Sequence, residues 1–370
     1  MTEFNNFNVN FNEQPTEETY SESVSGEKAE TSVYSENDSG AKKPYAPEFN
    51  PETLKEKANI KNDASLIGLS FLVLSGISFL LNVFVVVLSL IISRGVSQQA
   101  ADFLWEPAVM KVQEILFAII SFTIPFILIF RLSGVRISNL ISFSKPDKNS
   151  LLPLLMFGVS FCAFANIASN IADSIFRDAN INYEVTSPQN PQGFFGFVLS
   201  LISTVAVPAL VEEFACRGLM MGLLKKYGEG FAIIASSLLF GLMHGNFQQI
   251  PFAFLVGLVL GFITIKSGTI WVAVAVHGFN NLISVLFDYV FDVFPQGAQN
   301  IGYMIYLMLA LILGIFAIFI FHHKKIDIYK LNESTTVCTE KQKLIWFFTS
   351  IPIIIYVSIC LIDSLQYFVF

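Results

Sequence analysis

Nine apolar stretches, at about residues 66–92, 115–130, 151–172, 195–224, 231–247, 251–265, 269–290, 301–321 and 344–362, constrain this chain more than any other feature. Most approach the roughly 20 apolar residues that a helix needs to cross a bilayer. Backbone in lipid must satisfy its own polar groups, so apolar runs of this length predict membrane-spanning helices. The expected fold class is all-α and integral to a membrane: a polytopic helical bundle of eight or nine transmembrane helices. Composition agrees, with 54% of residues hydrophobic and only 14% charged, against about a quarter charged in soluble domains. The fifth and sixth stretches are short, and "GNFQQIP" between them reads as a tight turn. The sixth carries Gly257 and Gly261, a small-xxx-small pair suited to close helix contact.

The net charge of −7 says little about any site, because residues 1–64 hold 13 Asp/Glu against 6 Lys and account for all of it. That segment is rich in Glu, Ser, Thr, Asn and Pro, and cannot bury enough apolar surface to offset its ordering entropy. It is expected to be a disordered, acidic cytoplasmic tail. With no basic run followed by an apolar core, it is not a signal peptide. The rest divides into N-terminal transmembrane helices (65–194), a core (195–290) and C-terminal transmembrane helices (291–370). With nine spans and a cytoplasmic N-terminus, fifteen Lys and Arg fall on the cytoplasmic side, and Arg94, Lys111 and Arg177 on the other. That bias predicts a multi-pass protein of the cell membrane with its N-terminus inside. The four cysteines are scattered without metal-ligand spacing and read as small buried hydrophobes.

Against this background, "VPALVEEFACRGL" is out of place, with Glu212, Glu213 and Arg217 inside a span. An ionisable group at membrane depth costs several kcal/mol, roughly, unless it is paired or faces a polar cavity. Two of the four histidines share the problem: His244 in "FGLMHGNF" and His277 in "VAVHGFNN". At about 1.5 Å per helical residue, Glu212, His277 and His244 lie roughly 20, 17 and 22 Å from the cytoplasmic ends of their helices. Three helices thus bring their costly residues to one depth. Glu213 and Arg217 are i,i+4 with the glutamate first, the better order for an ion pair. Glu212 is turned about 100° away and is left to face a cavity. His277 and Asn281 share a face, as do Phe240 and His244.

A carboxylate and a histidine can activate water, and a histidine and an amide can donate to a developing oxyanion. Glu212, His244 and His277 also match a three-ligand catalytic zinc site, so zinc stays open as a cofactor. There is no HExxH, GxSG or GxGD in the chain. Interhelical polar contacts that merely hold the bundle are the plainer alternative.

Three motifs in order, "EEFACR" (Glu212–Arg217), "FGLMH" (Phe240–His244) and "HGFNN" (His277 through Asn281), resemble the EExxxR, FxxxH and HxxxN/D motifs of the CPBP family. That family includes the type II CAAX prenyl endopeptidases and bacteriocin-processing or self-immunity (Abi-like) proteins. The resemblance covers roughly residues 195–290. It implies an intramembrane endopeptidase, glutamate-dependent or a metalloprotease, in which Glu212 is the general base and His244 helps to hold the water. His277 and Asn281 would stabilise the oxyanion, while Glu213 and Arg217 shape the site. The implied partners are membrane lipids and a membrane-associated or lipidated peptide or protein, and no nucleic acid is expected. Two other classes compete. One is a non-catalytic immunity or scaffold protein. The other is a transporter, which the lack of an inverted repeat or paired broken helices disfavours.

Overall fold

A computed structural model describes residues 50–179, 181, 183, 190–291, 294–332 and 336–368. Eleven helices organise them: α1 (Pro51–Gly95), α2 (Gln98–Asp102), α3 (Pro107–Leu132), α4 (Lys148–Asp178), α5 (Gly193–Tyr227), α6 (Glu229–Leu242), α7 (Gln249–Ser267), α8 (Ile270–Tyr289), α9 (Gln296–His323), α10 (Glu340–Phe348) and α11 (Ile351–Leu365). Among the described residues there is no named strand, only an isolated bridge between Tyr183 and Phe368. The all-α polytopic bundle is therefore the observed fold.

The number of spans falls at the lower edge of the sequence expectation of eight or nine, or one below it. Seven helices, α1, α3, α4, α5, α7, α8 and α9, are long and apolar enough to cross a membrane, and an eighth span results if α10 and α11, bent by 73°, count as one. The stretch expected at 231–247 is α6, of only 14 residues, about 21 Å long. Its helix stops because His244–Gln248 forms a polar turn, in which Gly245 takes φ +63°. α6 and α7 form a tight hairpin around that turn. A Cβ on Gly257 would lie 2.9 Å from Ser237 Cβ, and one on Gly261 would lie 3.3 Å from Ile233. The glycine pair read from the sequence is thus the contact stripe of α7 against α6.

The tail expected over residues 1–64 also ends earlier. α1 begins at Pro51, with Asn50 Oδ1 accepting the Glu52 N–H at 3.0 Å; Pro at the first helical position is pre-set for this. Ile60 and Ala64 are fully buried. Asp63 accepts from Tyr227 Oη and pairs with Lys226, each at 2.7 Å, and Glu56 accepts the Val337 N–H. Tertiary partners order a stretch whose composition alone would not. The rest of the expected tail, residues 1–49, lies outside the described residues.

Contacts define two ends of the bundle. At one, Ser144 reaches Gly268 O, Lys324 reaches Asn149 O, and Lys266 reaches the carbonyls of Asp327 and Lys330. At the other, Ser169 donates to Gln248 O, Asn170 to Tyr303, and Ser200 pairs with Tyr289. The first end carries the concentration of lysines. Between the two ends, α5 is the interrupted helix. Its α-helical stretch Val207–Glu213 is flanked by π-helical turns at Leu201–Ala206 and Phe214–Met220. Such turns arise where a side chain or a missing donor disturbs the i→i−4 ladder, and they are frequent at functional sites. Here Pro208 has no N–H to offer Thr204 O, four residues earlier.

Candidate active site

The three motifs converge. α5 supplies Glu212, Glu213 and Arg217; the end of α6 and its turn supply Phe240 and His244; α8 supplies His277 and Asn281. Glu212, His244, His277 and Asn281 line one cavity of about 580 Å³. Glu213 and Arg217 lie behind its wall, both with side chains at 0% exposure. The i,i+4 pair expected from spacing is formed, with Arg217 Nη1 donating to Glu213 Oε1 at 2.9 Å.

A guanidinium buried this deeply needs more than one partner. Arg217 Nη2 donates to Gly257 O at 3.2 Å, and the cation lies 4.1 Å above the Phe240 ring. Gly257 therefore serves two purposes. Its missing side chain lets α7 approach α6, and its carbonyl meets Arg217. Phe240 presents its ring to His244 and His277 in T-shaped contacts, with centroids 5.2 and 5.8 Å away. One aromatic ring thus touches the arginine and both histidines.

The histidine nitrogens are sorted by their partners. His244 Nδ1 is 2.8 Å from Phe240 O. A carbonyl only accepts, so Nδ1 carries the proton and Nε2 of the neutral ring is an acceptor. His277 Nδ1 is 2.8 Å from Glu213 Oε1 and donates to it. Its Nε2 lies 4.0 Å from Glu212 Oε2. Glu213 Oε1 consequently ties α5 to α8, a link that spacing within single helices could not reveal. Glu212 Oε2, buried on the cavity wall, has no hydrogen-bond partner. The two adjacent glutamates are thus treated oppositely. Glu213 is locked through Oε1 by an arginine and a histidine, its Oε2 lying buried without a partner, while Glu212 is held by neither and presents an uncommitted Oε2 on the cavity wall.

Asn281 Nδ2 donates to Thr204 O at 2.9 Å, the carbonyl that Pro208 deprives of its helical donor. One amide hydrogen is therefore spent on α5, and the second remains for the cavity. Asn280 Nδ2 donates to Asn281 Oδ1 at 3.3 Å and orients the amide. Asn280, Thr204, Asn166, Tyr303 and Tyr306 also line the cavity but were not singled out from the sequence. Isolated polar residues near helix ends carry no signal until α4 and α9 are placed against α8. The Pro208–Thr204 spacing was the one hint available.

The turn carrying His244 is pinned from outside. Gln248 donates to Asp173 Oδ1 at 3.0 Å, Ser169 donates to Gln248 O, and the Phe247 N–H donates to Tyr183 Oη at 2.7 Å. The Tyr183 ring stacks on Phe176 with centroids 4.7 Å apart and meets Phe368 beyond α11. These supports come from α4, from a connecting segment and from the residues that follow α11.

Zinc was the cofactor left open. Zinc bound by one carboxylate and two imidazoles needs its donors about 2.0–2.2 Å from one point. Among the described residues, no group of three His, Cys, Asp or Glu side chains is disposed to hold a metal ion. As placed, Glu212, His244 and His277 do not make a zinc site. All four cysteines are free and buried.

Residues 194–283 match the family model described as type II CAAX prenyl endopeptidase Rce1-like. All six site residues named above fall inside that range. No curated protein and no solved structure matches the chain.

Proposed function

From the match of residues 194–283 to the type II CAAX prenyl endopeptidase Rce1-like model, we propose that the chain is an intramembrane endopeptidase of the CPBP group. It hydrolyses a peptide bond of a membrane-associated or lipidated peptide or protein. The observation that carries this reading is the uncommitted Oε2 of Glu212, on the wall of a cavity shared with His244, His277 and Asn281.

Water held between Glu212 and His244 Nε2 gives a proton to the Glu212 carboxylate and attacks the scissile carbonyl. The carbonyl oxygen becomes an oxyanion. The free amide hydrogen of Asn281 donates to it, as does His277 Nε2 when that ring carries both protons and its Nδ1–H is held by Glu213. Collapse of the tetrahedral intermediate breaks the C–N bond, and protonated Glu212 returns its proton to the leaving amine. Glu213 and Arg217 do not touch substrate. They fix the His277 ring and support Phe240 beneath both histidines. The cell membrane is the expected location, with the lysine-rich end cytoplasmic.

Glu212→Gln keeps size and hydrogen bonding but removes the base, and it should lower turnover by about 10²–10⁴-fold. The assay is cleavage of a peptide library by purified protein in nanodiscs, read by mass spectrometry. Wild-type cleavage should survive a metal chelator. Equal cleavage by wild type and Glu212→Gln would end the reading and leave the non-catalytic immunity or scaffold alternative.

A further inference from the structure

The cavity runs to one end of the bundle only. From Glu212 it extends back along α5 to Ser203, and from His277 forward along α8 to Phe287. Those intervals of 9 and 10 residues span about 15 Å each at helical rise. α4 contributes Asn166 and Ser169 from its second half, and α9 contributes Tyr303 and Tyr306 from its first half. All these positions point towards the end where α4 and α8 finish and α5 and α9 begin. Most lysines lie at the opposite end, where Lys225, Lys226, Lys266 and Lys324 close or follow α5, α7 and α9, while Lys111, near the start of α3, is paired with Glu114.

The open end is short of cations. No Lys or Arg lines the cavity among the described residues. The sequence has none between Arg177 and Arg217, nor between Lys266 and Lys324. Arg177, at the end of α4, is ion-paired with Asp173. Among the described residues, acidic side chains lie there, with Asp173 and Asp178 on α4 and Asp288 in the last turn of α8. Removal of a C-terminal tripeptide would bring the substrate's α-carboxylate within three residues of the scissile bond, about 10 Å at full extension. That carboxylate would meet Glu212 and the acidic rim with no cation to offset its desolvation.

We propose that the cavity receives its polypeptide from the lysine-poor, extracytoplasmic end and cuts an internal, uncharged or cationic stretch rather than releasing a C-terminal tripeptide. This rests on the endopeptidase reading and narrows its substrate to an exported or outward-facing chain.

Two measurements test it. The native cysteines are all buried, so single introduced thiols report accessibility independently of activity. Ser284→Cys lines the cavity, and Ser144→Cys marks the lysine-rich end. In intact cells a membrane-impermeant maleimide should label Ser284→Cys, and should label Ser144→Cys only after permeabilisation. The reverse pattern overturns the orientation. The second measurement uses a peptide that the purified full chain cuts in a Glu212-dependent way. It is prepared with a free carboxylate three residues past the cut, as the same-length C-terminal amide, and extended by ten residues. The amide and extended forms should exceed the acid at least tenfold in kcat/KM, and Ser284→Lys should shrink that gap. Equal rates, or preference for the acid, would overturn the specificity. If no peptide in any form is cut while Ser284→Cys is labelled from outside, the endopeptidase reading fails and the orientation stands.

Discussion

The two ends of the bundle use the same kinds of side chain to opposite effect. At the lysine-rich end, most polar groups are paired off, Glu56 Oε1 being an exception. Buried Lys343 donates to Tyr227 O at 2.6 Å and to Glu340 at 2.5 Å; Glu229 accepts from both the backbone and the side chain of Asn332; and Asp63 holds Lys226 and Tyr227 together. These contacts lock the starts of α1 and α10 onto the end of α5. Towards the lysine-poor end, polar side chains from α4, α5, α7, α8, α9 and the His244 turn line a 580 Å³ cavity, and Glu212 Oε2 on its wall and Glu213 Oε2 behind it have no hydrogen-bond partner. A satisfied network stabilises a fold, while an unsatisfied one is tolerated only where the surroundings hold it in place. The contrast is sharpest between neighbouring residues: Glu213 is held through Oε1 by Arg217 and His277, whereas Glu212 lines the cavity without such partners.

That contrast can be broken at its boundary. Glu212→Gln should remove activity with little change in thermal stability, whereas Arg217→Ala should remove both. Deleting one partner of a buried ion pair strands the other, and costs about 3–5 kcal/mol. Thermal unfolding in detergent separates the two outcomes, and an unchanged melting temperature in Arg217→Ala would contradict the supporting role given to that pair. Gly257→Ala comes next. Its methyl would press on Ser237 and spread the α6–α7 hairpin, for a loss of about 1–3 kcal/mol, visible in the same melts.

Smaller effects sharpen the comparison. Tyr183→Phe keeps the stack on Phe176 but takes the acceptor from the Phe247 N–H beside His244. One hydrogen bond is worth about 1 kcal/mol, so kcat should fall about fivefold at unchanged KM. A rise in KM alone would mean that the hydroxyl acts on binding and not on the placement of His244. Lys226→Ala, at the lysine-rich end, removes a half-exposed partner of an Asp63 that keeps Tyr227. The expected loss is about 0–1 kcal/mol, with peptide cleavage unaltered. Altered cleavage would show that the two ends are coupled.

The comparison also marks what could be read without coordinates. The apolar runs gave seven of the expected spans, and helical spacing gave the Glu213–Arg217 pair and the common face of His277 and Asn281. Depth counting placed Glu212, His244 and His277 at one level, and they do line one cavity. The misjudged segments have a common cause. Residues 51–64 are mostly polar yet are held as helix where Ile60 and Ala64 are buried and Asp63 and Glu56 find partners on α5 and near α10. The span expected at 231–247 is cut short by a turn that α4 and Tyr183 hold. Local pattern does not report partners more than sixty residues away.

By itself the sequence determined the solvent, the helices and the identity of the costly residues, because hydropathy, helical period and depth are properties of a single segment. Only the tertiary structure decided which groups are spent and which remain uncommitted. It brought His277 Nδ1 to Glu213, gave Asn281 to the carbonyl that Pro208 exposes, set Phe240 under Arg217, and left Glu212 Oε2 without a partner. The physical reason is that a buried polar group is satisfied or stranded by whatever packing places beside it, and here that is decided between helices rather than along them.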